Sequence, residues 1–232
     1  ARNFYLYTAP WLIGFFVLTL YPIVYSFYLM FTDMNLTGVG KFIGLENLKY
    51  AFTDDPLFIK AFINTLKYVV MFVPSSIILA FFVALLLSKK VKGLGFFRTA
   101  FYIPYITSGV AVTILWGWIY QKDYGIINYV LSLFGIKGVN WLGDKNIAMI
   151  SIVILSLWTI GNNIIIMLAG IQDIPQSYYE SAQIDGAGKL QTILYVVVPL
   201  IKNTIMTNAM LTTLMTLGAF GFIWIITAGG PG

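Results

Sequence analysis

Ile174-Pro175-Gln176-Ser177-Tyr178-Tyr179-Glu180-Ser181-Ala182-Gln183-Ile184-Asp185-Gly186-Ala187-Gly188, running on to Val196-Val197-Val198-Pro199, is a polar interruption in a greasy sequence. An uncharged run from Asn146 to Gln172 precedes it, and another begins at Asn203. A short charged loop therefore lies between two segments able to cross a bilayer. Its internal order is that of a folded motif. Pro175 favours the first turn of a helix, and Ser177 and Glu180 have capping-box spacing. Gly186 can end that helix with a positive φ. A second short helical run follows, and Pro199 stands at the start of the next span.

Composition says which solvent the chain meets. Of its 232 residues 59% are hydrophobic and only 10% are charged, where a soluble domain carries about 25% charged residues. That much apolar surface requires lipid. Aromatic residues make up 17%, which suits both bilayer interfaces and sugar-stacking surfaces. Cysteine and histidine are absent, which removes disulfides, thiol nucleophiles, imidazole bases and His/Cys metal sites together. No arrangement of residues supports catalysis, so the chain reads as a non-enzyme. The net charge of +5 reports membrane topology, not affinity for nucleic acid.

Five runs approach the roughly 20 apolar residues that a helical span needs. They cover about 4–31, 64–87, 100–120, 147–171 and 204–227. Helices are expected throughout, because the runs are continuous and every backbone group in hydrocarbon must be satisfied internally. Asp55 as cap and Pro56 in the first turn start the second helix early. Pro22, Pro74 and Pro104 predict kinks. Lys89, Lys90, Lys92 and Arg98 make an acid-free loop that belongs inside. Alternation then places 32–60 and 121–145 outside and 173–202 inside. Seven cationic residues face inward against three acidic ones, and outward the balance is six against six. The expectation is an all-α, polytopic membrane helix bundle forming a single domain over 1–232.

The opening stretch resembles the EAA loop of ABC importer permeases. That pattern is Glu-Ala-Ala, three residues, Gly, nine residues and Ile-x-Leu-Pro. Glu180, Ala182, Gly186 and Pro199 fall at its spacings, with Ser181, Val196 and Val198 as mild departures. Further pieces resemble the carbohydrate-uptake branch, of the maltose and glycerol-3-phosphate type. They are Tyr21-Pro22-Ile23, Phe31-Thr32-Asp33, Phe42-Ile43-Gly44-Leu45-Glu46-Asn47, Gly170-Ile171-Gln172-Asp173-Ile174-Pro175 and Thr227-Ala228-Gly229-Gly230-Pro231. The resemblance implies a type I importer permease fold, with a sixth span beyond the five seen. It implies a prokaryotic cytoplasmic (inner) membrane and three kinds of partner: a second permease, an ABC ATPase dimer and an extracytoplasmic solute-binding protein. ATP and Mg would be bound by the ATPase, with no cofactor in this chain. The loop 173–202 would then be a coupling helix docking into the ATPase, through Tyr179, Glu180, Ser181, Ala182, Asp185, Gly186 and Ala187.

Polar and aromatic residues inside spans mark candidate pathway positions. Here they are Tyr105, Ser108, Trp158, Asn162, Asn163, Thr216 and Phe220. Amides and aromatic faces are what an uncharged sugar needs. Helix–helix hydrogen bonding for Asn162 and Asn163, and interfacial anchoring for Tyr105, stay open as alternatives. By resemblance, Tyr105 and Asn163 match the sugar-site positions best, while Thr216 and Ala219 stand where the family has asparagines. Lys67 is read as snorkelling to the outer surface, and no basic pair in the spans suits glycerol-3-phosphate. The rival classes are a self-contained secondary transporter or channel, and an ABC permease for a polyol or an amino acid.

Overall fold

The computed structural model describes residues 2–34, 40–89 and 93–230, with side chains from residue 5 onward. Lys90 and Lys92 of the cationic loop, and Pro231, lie outside the described residues. Among the described residues the fold is helical, and the one β feature is an isolated antiparallel bridge between Thr32 and Phe42. The chain forms two compact units, residues 1–64 and 65–232.

The first unit opens with α1 (Arg2–Gly14), a π turn (Phe15–Leu20) and α2 (Tyr21–Leu29). Tyr5–Leu29 forms one run long and apolar enough to cross a membrane. The π turn has a local cause. Pro22 has no N–H, and in an α-helix its ring would press on the carbonyl of Leu18. Widening the turn avoids this, and the Tyr21 N–H instead reaches the Phe16 carbonyl five residues back. After α2 the chain folds back. The Ile43 N–H donates to the Phe31 carbonyl (2.8 Å) and the Asp33 N–H to that of Lys41 (3.0 Å). The Asn47 amide, at the start of α3 (Glu46–Thr53), donates to the carbonyls of Met30 (3.1 Å) and Thr32 (2.8 Å). The separated pieces 31–33 and 42–47 are thus one hydrogen-bonded clasp. α4 (Pro56–Leu87) starts as its sequence predicts, with Asp55 Oδ1 accepting from the N–H groups of Leu57 (2.8 Å) and Phe58 (3.2 Å).

In the second unit the rest of α4 packs on α9 (Gly161–Gln172). Ser76, Ala80 and Ala84 recur every four residues and are fully buried. The small side chains leave room for the larger ones of neighbouring helices. Ala80 and Ala84 join Ile164, Met167, Leu168 and Ile171 in the main core, with Val197 and Ile201 closing its end. Smaller cores gather Val112, Trp116, Tyr120 and Leu155, and Tyr68 with Ile152 and Val153.

Three spans differ from the continuous helices expected. The third, expected over 100–120, is α5 (Leu94–Ile106) and α6 (Gly109–Ile119), bent by 96°. Thr107 and Ser108 between them are extended, and the Thr107 hydroxyl bonds back to the Ile103 carbonyl at 2.8 Å. A short polar side chain here competes with the helix for its own carbonyls. The fourth is α8 (Ala148–Leu157) and α9, bent by 52°. A Cβ on Gly161 would stand 2.6 Å from the Phe101 carbonyl oxygen, so glycine permits α9 to start against the α5 backbone. The fifth, expected over 204–227, holds α13 (Lys202–Leu217), a break, and the short α14 (Gly221–Thr227). The apolar run belonging to it starts earlier, since Lys189–Leu200 leads into Lys202–Leu217 at 68°. That leading segment consists of α11 (Lys189–Thr192), a second π turn (Ile193–Val197) and α12 (Val198–Leu200). Its π turn again ends two residues before a proline, Pro199, and the Val198 N–H reaches back to Ile193.

Between α6 and α8 lies the segment 121–145, with α7 (Ile126–Leu133). Buried Asn128 organises it. Its amide nitrogen donates to the carbonyls of Lys122 (2.9 Å) and Val139 (2.8 Å), and its oxygen accepts from the Val139 N–H (3.0 Å) and the Trp141 indole (2.9 Å).

Candidate functional site

A cavity of about 310 Å³ opens inside the second unit. Three helix interruptions border it: Thr107 and Gly109, Thr159 and Ile160, and Ala219 all line the space. Irregular backbone at membrane depth is tolerated where it lines a cavity, and broken helices of this kind build transporter sites. No lining residue is charged. The polar lining is hydroxyl and amide: Tyr68, Tyr105, Thr107, Thr113, Ser156, Thr159, Asn163, Thr212 and Thr216.

These polar groups are tied down. Asn208 Nδ2 donates to the Asn163 carbonyl (3.0 Å), and Asn163 Nδ2 to Thr212 Oγ1 (2.9 Å). Thr212 donates to the Asn208 carbonyl (2.7 Å) and Thr216 to that of Thr212 (2.6 Å). Thr113 does the same with Gly109 (2.6 Å) and Ser156 with Ile152 (2.7 Å). Tyr68 and Ser156 share a further bond of 2.7 Å. Each threonine therefore gives its proton to its own helix and keeps oxygen lone pairs. The threonines and Ser156 thus offer a guest fixed acceptor oxygens.

Of the pathway candidates, Tyr105, Asn163 and Thr216 line the cavity. Ser108 sits at the α5–α6 break, and Asn162 lies beside Asn163, but neither is among the lining residues. Trp158 packs edge-to-face on Trp116 (6.0 Å), and Phe220 stacks on Trp224 (5.8 Å); both are more than half exposed and outside the cavity. Asn163 makes an interhelical hydrogen bond and also lines the cavity. Thr107, Thr113, Ser156, Thr159 and Thr212 are additions that the sequence reading missed. One signal for them was available: Asn208, Thr212 and Thr216 recur every four residues in an otherwise apolar helix, which puts them on one face.

The charged loop folds as a compact turn. α10 (Gln176–Ile184) is capped by Pro175, with no side-chain cap bond. The expected Ser177–Glu180 capping box does not form, because the helix begins two residues too early, with Pro175 rather than Ser177 as its N-cap. Ser177 then lies within the first turn, where its hydroxyl cannot act as N-cap. The other end behaves as predicted. Gly186 has φ +75°, its N–H donates to the Gln183 carbonyl (3.1 Å), and the Ala187 N–H donates to that of Ala182 (2.9 Å). This pair of bonds is the Schellman arrangement. Gly188 then starts α11, its N–H donating to Gln191 Oε1 (2.7 Å). Ala182 is buried and Tyr179 packs on the main core; burial pushes the Tyr179 phenol above its ordinary value of 10.0. Glu180, Ser181, Asp185 and Gly186 are exposed, and Ala187 is half-buried. Tyr178, Ser181, Asp185, Gly186, Gln191 and Tyr195 frame a shallow depression. Ile184 and Tyr195 leave 86% and 77% of their surface uncovered. Among the described residues no group of His, Cys, Asp and Glu could hold a metal.

An all-helical bundle of apolar spans, broken around an uncharged, largely apolar cavity that carries a few hydroxyl and amide groups, defines a membrane permease. Residues 56–232 match the model of the family described as binding-protein-dependent transport system inner membrane component, and the chain belongs to that family. It is 35% identical to the probable ABC transporter permease YesP of Bacillus subtilis, over 98% of this chain and 74% of the relative. It is 31% identical to the trehalose/maltose transport system permease MalF of Thermococcus litoralis, over 100% and 79%. The arabinooligosaccharides transport system permease AraP of B. subtilis is 35% identical over 85% and 63%. Among solved structures it resembles a bacterial ABC transporter involved in alginate import, with TM-score 0.81 and 25% identity over 99% of this chain and 79% of that one. A second structure shows the bacterial alginate transporter in complex with a periplasmic protein carrying an alginate pentasaccharide, with TM-score 0.82. The chain is thus an ABC importer permease, a multi-pass component of the inner membrane and a transport subunit rather than an enzyme.

Proposed function

We propose that this permease conducts a neutral sugar or oligosaccharide delivered by an external solute-binding protein across a prokaryotic cytoplasmic membrane. The observation that carries the reading is the cavity, which is uncharged and lined by fixed hydroxyl and amide oxygens at three helix breaks. Such a wall exchanges hydrogen bonds with sugar hydroxyls and offers an ion no counter-charge. Relatives named for trehalose/maltose and arabinooligosaccharide transport support the same substrate class. Thr216, Asn163 and Tyr105 contact the sugar, with Thr212 holding the Asn163 amide in place. Ser108, Trp158, Asn162 and Phe220 bear on the pathway outside this cavity, at or beside the same breaks.

Energy enters through α10. A second permease completes the pathway, and a dimeric ABC ATPase binds ATP and Mg outside this chain. The exposed faces of Glu180, Ser181, Asp185 and Gly186, with Ile184 and Tyr195, dock on that ATPase. Tyr179 and Ala182 anchor the other side of α10 to the bundle, so a push on the loop reaches the spans. A tagged chain is recovered from detergent-solubilised native membranes and its partners are identified by mass spectrometry. Recovery of a second permease and an ATPase, with ATP-dependent sugar uptake after reconstitution, is the expected result. Solute uptake by this chain alone, without ATPase or ATP, overturns the reading in favour of a self-contained transporter.

A further inference from the structure

The segment 121–145 carries a surface that the transport reading does not use. On α7, Asn128 is pinned inward by four hydrogen bonds, and Ile127 packs on the core formed by Val112, Trp116, Tyr120 and Leu155. The opposite face is set by that anchoring and cannot roll inward. It presents Ile126, Tyr129, Val130 and Leu133, which are 60%, 63%, 46% and 66% exposed. The spacing is i, i+3, i+4 and i+7, one stripe of a helix. Phe134 and Ile136 extend it at 76% and 52% exposure. No charged residue occurs from Tyr124 to Ile136; Lys122 and Asp123 precede the stripe and Lys137 follows it.

Two features of the chain bear on what covers this stripe. α7 follows a membrane span after a turn of a few residues, and Trp118 in the last turn of α6 is itself 67% exposed. The stripe's composition of aliphatic residues with Tyr124, Tyr129 and Phe134, flanked by Lys122 and Asp123 on one side and Lys137 on the other, is that of a helix lying in a bilayer interface. There the lysines meet anionic headgroups and the aromatic rings sit at the headgroup boundary. We infer that α7 is an interfacial helix that lays its Ile126–Leu133 face into the bilayer surface at the 121–145 end of the α5–α6 span. The helix would fix the depth of that span against the membrane, with Asn128 as the link between helix and bundle.

The chain has no cysteine, so single cysteines can be placed at will. Val130→Cys, Leu133→Cys and, as a water reference, Lys145→Cys carry nitroxide spin labels in the assembled transporter. The transporter is reconstituted in nanodiscs of phosphatidylcholine with phosphatidylglycerol. Relaxation by oxygen, which concentrates in lipid, and by a water-soluble nickel chelate reports depth. The expected result is oxygen exceeding nickel at 130 and 133, and nickel exceeding oxygen at 145. A label at 133 as open to nickel as that at 145 overturns the inference. So does a label shielded from both reagents, which assigns the face to a neighbouring subunit. A label open to nickel until the solute-binding protein is added assigns the face to that protein, and also overturns it. All three positions are exposed, so the labelled variants fold, and sugar uptake by each confirms it.

Discussion

Gly186 shows how one residue serves the loop. Its φ of +75° lies where a side-chain-bearing residue pays roughly 1–2 kcal/mol, and nothing crowds the position. Gly186→Val therefore leaves the bundle intact while distorting the Schellman turn that aims Asp185 and Ala187. Sugar uptake should fall severalfold in reconstituted transporter while ATP hydrolysis continues. Uptake at the normal ratio to hydrolysis would sink the coupling role. Asn163 makes the parallel case in the cavity. Asn163→Leu removes an amide that bonds Thr212 and faces the space, a loss of about 1–3 kcal/mol. The KM for uptake should rise about tenfold or more, measured against the amount of assembled transporter.

At the scale of elements, prolines are absorbed within helices, as Pro74 is inside α4 and Pro104 inside α5, while hydroxyl residues mark a break. Pro22 and Pro199 are each preceded by a π turn, which absorbs the missing N–H without ending the span. Thr107 and Ser108 break one, because their backbone becomes extended. The segment 121–145 depends on a single buried amide. Asn128→Leu leaves the Val139 N–H and the Trp141 indole without their acceptor. Each orphaned donor costs about 1–3 kcal/mol. The purified transporter should unfold at a clearly lower temperature in a thermal melt, with the shift absent in Tyr129→Leu on the exposed face of the same helix.

For the whole molecule the solvent is lipid, and its surface shows it. Trp118 is 67% exposed on a span, whereas Trp116, two residues earlier, is 9% exposed. In vesicles of lipid brominated along the acyl chain, Trp118→Phe should remove more of the quenchable fluorescence than Trp116→Phe. Equal losses would mean that this face of α6 is covered by protein. The same solvent explains the small-residue stripe Ser76, Ala80 and Ala84. Without a hydrophobic drive between helices, side-chain packing has to hold α4 in the main core, with Ala80 and Ala84 in one cluster with Ile164, Met167 and Leu168.

The membrane class, the five apolar runs, the Asp55–Pro56 start, the Gly186 terminus and the family were all legible in the sequence. Each rests on local chemistry: hydropathy over about 20 residues, a cap, a glycine, a motif of fixed spacing. Tertiary structure alone decided that three spans are bent or broken, and that the interruptions meet around one cavity. It also decided that Tyr105, Asn163 and Thr216 line that cavity while Trp158 and Phe220 do not. The failed Ser177–Glu180 box belongs with these, since the helix start shifted by two residues. A break or a facing direction depends on what packs across from it. Asn163 acquires its partner from Thr212, 49 residues away, and no local window contains that pair.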